Sequence, residues 1–284
     1  VRSKLFVPGS RGELFAKAFA GDADAVSFDL EDSVPGSGKA AARERVAGFL
    51  KGLDPGTKML VVRTNAVDSA HFDEDFRALA LPCVDLLNLP KTEDPEALHG
   101  VGERLDALER EHGRRMPGLL VNIETPRGLR RAPSLAAAHP RVRGLQLGLG
   151  DLFESQGIDR DDHAAVHAVQ LAVRMAAGEA DVFAWDGAHP DLERPERFLA
   201  EARIAQRLGY CGKSCVHPRQ VGWAHEVFSL PPMDVELARR IVAAAEEAQA
   251  QGRGAFVVDG RMVDLPYLQH ARRALVWSAE KANA

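Results

Sequence analysis

Short apolar runs rich in Val, Leu and Phe alternate along this chain with stretches whose apolar residues recur at helical spacing, with Ala, Glu and Arg on the polar side. Eight runs read as strands: Ser3 to Pro8, Asp24 to Glu31, Met59 to Thr64, Val84 to Pro90, Leu119 to Glu124, Val142 to Leu149, Asp181 to Trp185 and Cys211 to His217. Segments between them, such as Lys39 to Leu53 and Asp162 to Ala177, read as amphipathic helices. An uninterrupted strand–helix alternation predicts an α/β fold with a parallel sheet, and eight repeats favour a closed (β/α)8 TIM barrel over an open doubly wound sheet, which usually has fewer strands. Past the eighth unit the pattern predicts a helix over Val235 to Ala250 and a hairpin over Phe256 to Val263 that turns at Asp259-Gly260. A last helix is predicted over Pro266 to Glu280. The barrel is therefore expected over residues 1–230 and a C-terminal helical and hairpin extension over residues 231–284, with no low-complexity linker between them.

Composition narrows the function more than the fold. With 45% hydrophobic and 27% charged residues in 284, the chain can bury a substantial core and is not disordered. Its net charge of -5 is spread with both signs mixed, so no basic stripe exists to neutralise a phosphate backbone, and a nucleic-acid partner is not expected. No apolar run approaches the ~20 residues that cross a bilayer, and the opening Val1 to Val7 leads into strand-like sequence rather than a signal peptide. A cytoplasmic protein without a membrane partner is the expectation. The three cysteines cannot form a closed disulfide framework, and Cys211, Cys215 and His217 lack zinc-knuckle spacing.

In a βα barrel every strand delivers its last residues to one rim, where the catalytic face is built. The predicted strands end in Pro8-Gly9, Asp29 to Asp32, Arg63 to Asn65, Pro90-Lys91, Glu124-Thr125, Gly150-Asp151, Asp186-Gly187 and His217-Pro218. Any one of these is an ordinary solvent-facing strand end; as a set they describe a polar pocket over a filled core. Glu124 and Asp151 come from neighbouring strands and have the oxygen ligands for one hard divalent cation, Mg²⁺ or Mn²⁺. A reading of the same pair as solvated or helix-capping carboxylates stays open beside it. Other motifs fail. Gly36 to Lys39 resembles part of a phosphate loop, but Ser33 stands at the first glycine and Ala40 at the Ser/Thr position. Gly148 and Gly150 begin a dinucleotide fingerprint that Phe153 ends, and His163 and His167 lack the Glu of a metalloprotease helix, Ala164 standing in its place.

The motifs together resemble one family. Leu5 to Gly9 (LFVPG), Asp24 to Val34 (DAVSFDLEDSV), Lys39 and Arg43, Val61 to Asn65 (VVRTN), Leu89 to Lys91 (LPK), Ile123 to Gly128 (IETPRG), Gly148 to Asp151 (GLGD), Val216 to Gln220 (VHPRQ) and Gly260 to Asp264 (GRMVD) occur in the order seen in citrate lyase β subunit-like proteins of the HpcH/HpaI aldolase/citrate lyase superfamily. The resemblance runs from Leu5 to about Ala274. It implies the same barrel and a carbon–carbon lyase acting on a 3-hydroxyacyl-CoA thioester of the malyl-CoA or citramalyl-CoA kind, yielding a 2-keto acid and an acyl-CoA. By position it implies that Glu124 and Asp151 are the metal ligands, for Mg²⁺ or in its place Mn²⁺, and that Arg63 meets the substrate's carbonyl oxygen. Glu31 and Asp32 match acidic residues near the metal's outer shell. Pro8, Arg11 and His217 match positions along the coenzyme A path, and Asp264 matches an aspartate that in relatives reaches a neighbouring subunit's active site. A homotrimer or hexamer follows from that last match.

The chemistry needs these groups. Cleaving the C–C bond of a 3-hydroxyacyl thioester leaves an enolate on the acyl half and a keto acid on the other, so charge is stabilised at both ends. A permanently charged guanidinium such as Arg63 suits an oxyanion, and Asp264 is the candidate for proton transfer at the acyl carbon. One departure stands out: Gly150 occupies a position where many relatives carry Glu, which leaves the substrate subclass open. Three other readings remain: a β subunit of citrate lyase using a carrier-bound thioester, a metal-dependent pyruvate aldolase without CoA, and a barrel kept as a non-enzymatic binding scaffold.

Overall fold

A computed structural model describes residues 1–53, 56, 58–229, 232–269, 271, 272 and 275. The chain divides into two compact units, Val1–Phe228 and Ser229–Ala284. In the first, eight parallel strands form one sheet: β1 (Ser3–Pro8), β2 (Ala25–Asp29), β3 (Met59–Arg63), β4 (Leu86–Leu89), β5 (Gly118–Ile123), β6 (Val142–Leu147), β7 (Phe183–Trp185) and β8 (Lys213–Cys215). Their order is β7-β6-β5-β4-β3-β2-β1-β8. The ends of that order meet, because Asp186 bridges Lys213 in parallel, its N–H donating to the Gly212 carbonyl at 2.9 Å and its carbonyl accepting from the Ser214 N–H at 3.0 Å. That bridge brings the two ends of the sheet together into the expected barrel.

Among the described residues of this unit, ten α-helices follow or flank these strands: α1 (Phe15–Ala20), α2 (Lys39–Lys51), α3 (Phe72–Leu79), α4 (Pro95–His112), α5 (Pro126–Arg130), α6 (Ala132–Ala136), α7 (Leu149–Glu154), α8 (His163–Glu179), α9 (Pro195–Arg207) and α10 (Pro218–Phe228). Local chemistry sets their ends. Asp162 caps α8 by accepting from the N–H groups of Ala164 and Ala165, and α4 starts at Pro95 behind the Asp94 cap and stops at Gly113, φ +61°. Strands such as β2 and β5 are buried along their whole length, which is why they read as continuous apolar runs rather than alternating ones. The predicted runs overshoot at the rim: Leu149 leaves β6 to begin α7, and of Cys211 to His217 only Lys213–Cys215 pairs in the sheet.

Apolar packing is split by the sheet. Most of the core lies between strands and helices, while a small cluster of Val61, Leu86 and Leu120, with Met59 and Phe183 against it, fills the barrel. Gly144 makes that plug fit, since a Cβ there would stand 2.2 Å from the Phe183 ring. The barrel interior also carries buried polar side chains, Lys4, Asn88, Asn122 and Gln146.

The second unit contains α11 (Pro232–Ala250), packed on a hairpin of β9 (Phe256–Val258) and β10 (Arg261–Val263). The hairpin turns on Asp259 at φ +50° and Gly260 at φ +78°, the two left-handed residues that a tight two-residue connection requires. Residues 265–269 are helical, as are 271, 272 and 275; the remainder of the helix expected over Pro266 to Glu280 lies outside the described residues.

Candidate active site

Of the charged residues predicted at the rim, those from Asp29 to Asp151 gather above the ends of β2 to β6, whereas Asp186 after β7 is fully buried and paired with Lys213 at 2.6 Å. Asp29 closes β2 and is buried; its carboxylate accepts from Arg63 Nε at 2.6 Å and Nη2 at 2.8 Å, and from the backbone N–H of Glu31 at 3.0 Å. Burial alone would push that carboxyl up, but the bidentate guanidinium outweighs it and holds the group below the usual carboxylate range. Arg63, at the end of β3, lies with its guanidinium carbon 4.9 Å from the centre of the Phe6 ring. Its Nη1 faces Glu31 Oε2 at 3.0 Å and Asp32 Oδ2 at 3.7 Å.

Lys91 ties the next strands to this pair. It follows β4 with φ +49°, a left-handed conformation that few side chains other than glycine adopt readily. Its ammonium bonds both Glu31 and Asp32, at 3.1 Å for the latter. Its backbone N–H donates to Glu124 Oε1 at 2.6 Å. Burial raises the affinity of Glu31 for a proton, and Asp32 adds to that, with Arg63 and Lys91 acting in the opposite direction.

Glu124 is a third buried acid of the group, with Asp29 and Glu31. It stands just past β5, 3% exposed, with Oε1 held by Lys91 and Oε2 accepting from Asn122 Nδ2 at 3.1 Å. Burial, reinforced by the charges of Asp151 and Glu31, pushes its carboxyl up to about 7 against the Lys91 hydrogen bond and the Arg63 charge. Asp151 is exposed in the first turn of α7. The donors are oxygens only, from a buried and an exposed carboxylate whose mutual repulsion a cation would relieve, and that set fits a hard divalent ion.

Sequence reasoning placed the remaining candidates less centrally. Pro8 and His217 stand at or just beyond the ends of the paired strands β1 and β8, both half-buried, with His217 Nδ1 accepting from the Arg219 N–H at 3.2 Å. Arg11 is exposed and paired with Glu13. Asp264 lies in the second unit, half-buried, its carbonyl accepting from the Leu268 N–H at 3.0 Å. Asp29 and Lys91 were expected only as members of the polar rim, and Asn122 was not expected at the site at all. Asn122 could have been singled out, since an Asn within the apolar run Leu119 to Ile123 must find a partner once buried.

Other polar clusters are already satisfied. Glu103, Asp106 and His139 group like metal ligands near the opposite end of the barrel. His139 Nδ1 accepts from the Arg141 N–H at 3.1 Å, so the neutral ring carries its proton on Nε2, and Arg141 pairs with Asp106 and Glu109. A cavity of about 560 Å³ opens there too, lined in part by Met59, Leu86, Gly118 and Phe183, but its acids Asp85, Asp106 and Glu109 are all paired with arginines.

Comparison with known proteins shows the family. Residues 2–218 match the family HpcH/HpaI aldolase/citrate lyase. The L-malyl-CoA/beta-methylmalyl-CoA lyase of Cereibacter sphaeroides is 35% identical over 305 aligned positions, spanning 100% of this chain and 96% of that protein. The citrate lyase subunit beta of Haemophilus influenzae is 33% identical over 279, covering 96% of this chain and 95% of its own. Among solved structures, the CitE protein of Mycobacterium tuberculosis in complex with magnesium, acetoacetate and coenzyme A superposes with a TM-score of 0.74 at 32% identity, over 98% of each chain. Among the described residues, no helix is long and apolar enough to cross a membrane.

Proposed function

This chain belongs to the HpcH/HpaI aldolase/citrate lyase family and is a carbon–carbon lyase, and on that premise we propose that it cleaves a 3-hydroxyacyl-CoA thioester of the malyl-CoA or citramalyl-CoA type with Mg²⁺ held by Glu124 and Asp151. The observation that carries the reading is the buried Glu124 carboxylate at the rim, one oxygen held by the Lys91 N–H and the other by the Asn122 amide. When bound, Mg²⁺ supplies Lewis-acid stabilisation of oxygen charge on the keto-acid half of the substrate.

The residues of the chain then divide the work. Asp29 fixes the Arg63 guanidinium through two of its five N–H groups, leaving donors on Nη1 and Nη2 for Glu31, Asp32 and a substrate oxyanion. Because Arg63 is permanently charged and its plane is already set, no reorganisation is needed as charge builds on that oxygen. Glu31 and Asp32 balance Arg63 and Lys91 and orient the outer surroundings of the metal ligands. In the reaction the 3-hydroxyl gives its proton to a base, the electron pair of the bond between the α- and β-carbons moves to the α-carbon as the thioester enolate, and a proton delivered to that α-carbon completes acyl-CoA. Asp264 of a neighbouring subunit in a homotrimer or hexamer is assigned that last proton. Exposed Val257, Met262, Leu265 and Tyr267 on the second unit support a face that meets another copy. Pro8, Arg11 and His217 are assigned to the coenzyme A path.

The test is a panel of malyl-CoA, citramalyl-CoA, a carrier-bound citryl thioester and the corresponding free acids, incubated with protein and Mg²⁺ and read as keto acid released. Cleavage confined to CoA thioesters supports the proposal; cleavage of free acids or of the carrier thioester alone replaces the substrate class. Glu124→Gln and Asp151→Asn should each weaken Mg²⁺ dependence and activity together, and unchanged Mg²⁺ dependence in both removes the metal site.

A further inference from the structure

Behind Glu124, a file of buried polar side chains crosses the barrel interior. Lys4 on β1 donates from Nζ to Gln146 Oε1 and, at 3.4 Å, to Asn88 Oδ1 on β4. Asn88 Nδ2 donates at 2.6 Å to Asn122 Oδ1 on β5, and Asn122 Nδ2 donates at 3.1 Å to Glu124 Oε2. Lys4 and Asn88 are 0% exposed, Asn122 1% and Glu124 3%, so no bulk water competes for these bonds. Asn122 lies on β5 and Glu124 immediately past its end, two residues on, and the hydrogen bond between their side chains puts both on one side of the chain.

The direction of this file is not free. Asn88 Nδ2 also donates at 3.0 Å to the Leu120 carbonyl, a backbone oxygen that only accepts. That contact turns the Asn88 amino group towards β5 and its oxygen towards Lys4. The Asn122 oxygen must then face the Asn88 amino group, which leaves its own amino group for Glu124. Reversing the Asn122 amide would set two donors against each other on one side and an amide oxygen against a carboxylate oxygen on the other.

We propose that Asn122, oriented by Asn88 and terminated by Lys4, is a positioning residue that fixes the Glu124 carboxylate from behind for metal binding. The inference rests on Glu124 being a metal ligand. Lys91 restrains one carboxylate oxygen from the rim and Asn122 the other from the barrel interior, so the carboxylate plane is set before any ion arrives. Each oxygen keeps lone-pair capacity for a cation.

The experiment measures Mn²⁺ binding to the full-length protein by the electron paramagnetic resonance of free Mn²⁺, in Asn122→Leu, Asn122→Ala and Glu124→Gln. Leu removes the donor at similar volume, and Ala introduces nothing that can clash should the Leu variant fail to fold. Both Asn122 variants should raise the Mn²⁺ Kd about 10-fold or more. A role in packing alone would lower the unfolding temperature and leave the Kd in place. A folded Asn122 variant that binds Mn²⁺ with parental affinity while Glu124→Gln binds weakly overturns the positioning role and keeps the metal site. Parental affinity in all three variants overturns both.

Discussion

Replacing Gly148 by Ala is the smallest change that should reach the metal site. Gly148 leaves β6 beside Glu124, and a Cβ placed there would stand 2.5 Å from Glu124 Cβ and 2.6 Å from Glu124 Oε2. Those separations are roughly 1 Å inside ordinary van der Waals contact. Gly148 has φ -115°, so the backbone accepts Ala without strain and the whole effect falls on the contact. Parting β5 from β6 would disturb the fully buried Leu145 and Leu147, so the cheaper response is displacement of the Glu124 carboxylate away from its bonds to Lys91 and Asn122. Overpacking of this kind costs about 1–3 kcal/mol, a fall in Tm of roughly 2–6 °C for a chain of this size. A ligand moved by most of an ångström should weaken metal binding at least ~10-fold and lower turnover at saturating Mg²⁺ by up to ~100-fold. The assay titrates Mg²⁺ against keto-acid release and pairs it with calorimetric binding of the metal. Gly150→Ala is the internal control, because a Cβ at Gly150 meets nothing within 4 Å and should change neither quantity. Gly148→Ala with parental Mg²⁺ affinity and turnover would refute the reasoning, as would equal losses in the two variants.

Two further outcomes test the framework that carries the site. Burial pushes the His189 imidazole down to about 4, so its contribution to stability is fully present above the ordinary histidine value near 6.5 and is lost as the pH falls towards 4. Urea unfolding should show roughly 1–2 kcal/mol lost from this group between pH 7.5 and pH 5, and His189→Gln should flatten that part of the profile; an unaltered slope contradicts the assignment. Lys213, 0% exposed, bonds Asp186 at 2.6 Å and also Glu201, which Arg160 holds at 2.8 and 2.9 Å. Lys213→Met strands two buried acids beside each other and should cost about 3–5 kcal/mol in urea unfolding, whereas a loss below ~1 kcal/mol would show that Arg160 alone suffices.

Much of the site was legible before any coordinates because its chemistry sits at strand ends. Glu31, Asp32, Arg63 and Glu124 follow apolar runs, and a barrel delivers all such ends to one rim, so the set could be assembled from the chain order. Asp29 and Lys91 belonged to that rim set but drew no individual role, for a physical reason. Asp29 reads as a strand terminus, and its bond to Arg63 spans 34 residues; Lys91 acts on Glu124 through its backbone, which carries no residue-specific signal, across 33 residues. The resemblance to a known family named Gly150 as a departure, while the space around it had to be measured.

By itself, then, the sequence determined the alternation of strands and helices, the eight-fold count that closes a barrel, and the Asp259-Gly260 hairpin, because periodicity and turn residues act over short stretches of chain. Tertiary structure alone decided which rim charges pair, that Gly148 presses on Glu124, and that Lys4, Asn88 and Asn122 line up behind it. Strand period assigns a side chain to a face of the sheet, but its partner across a closed barrel depends on register and stagger, which emerge only when all eight strands are in place.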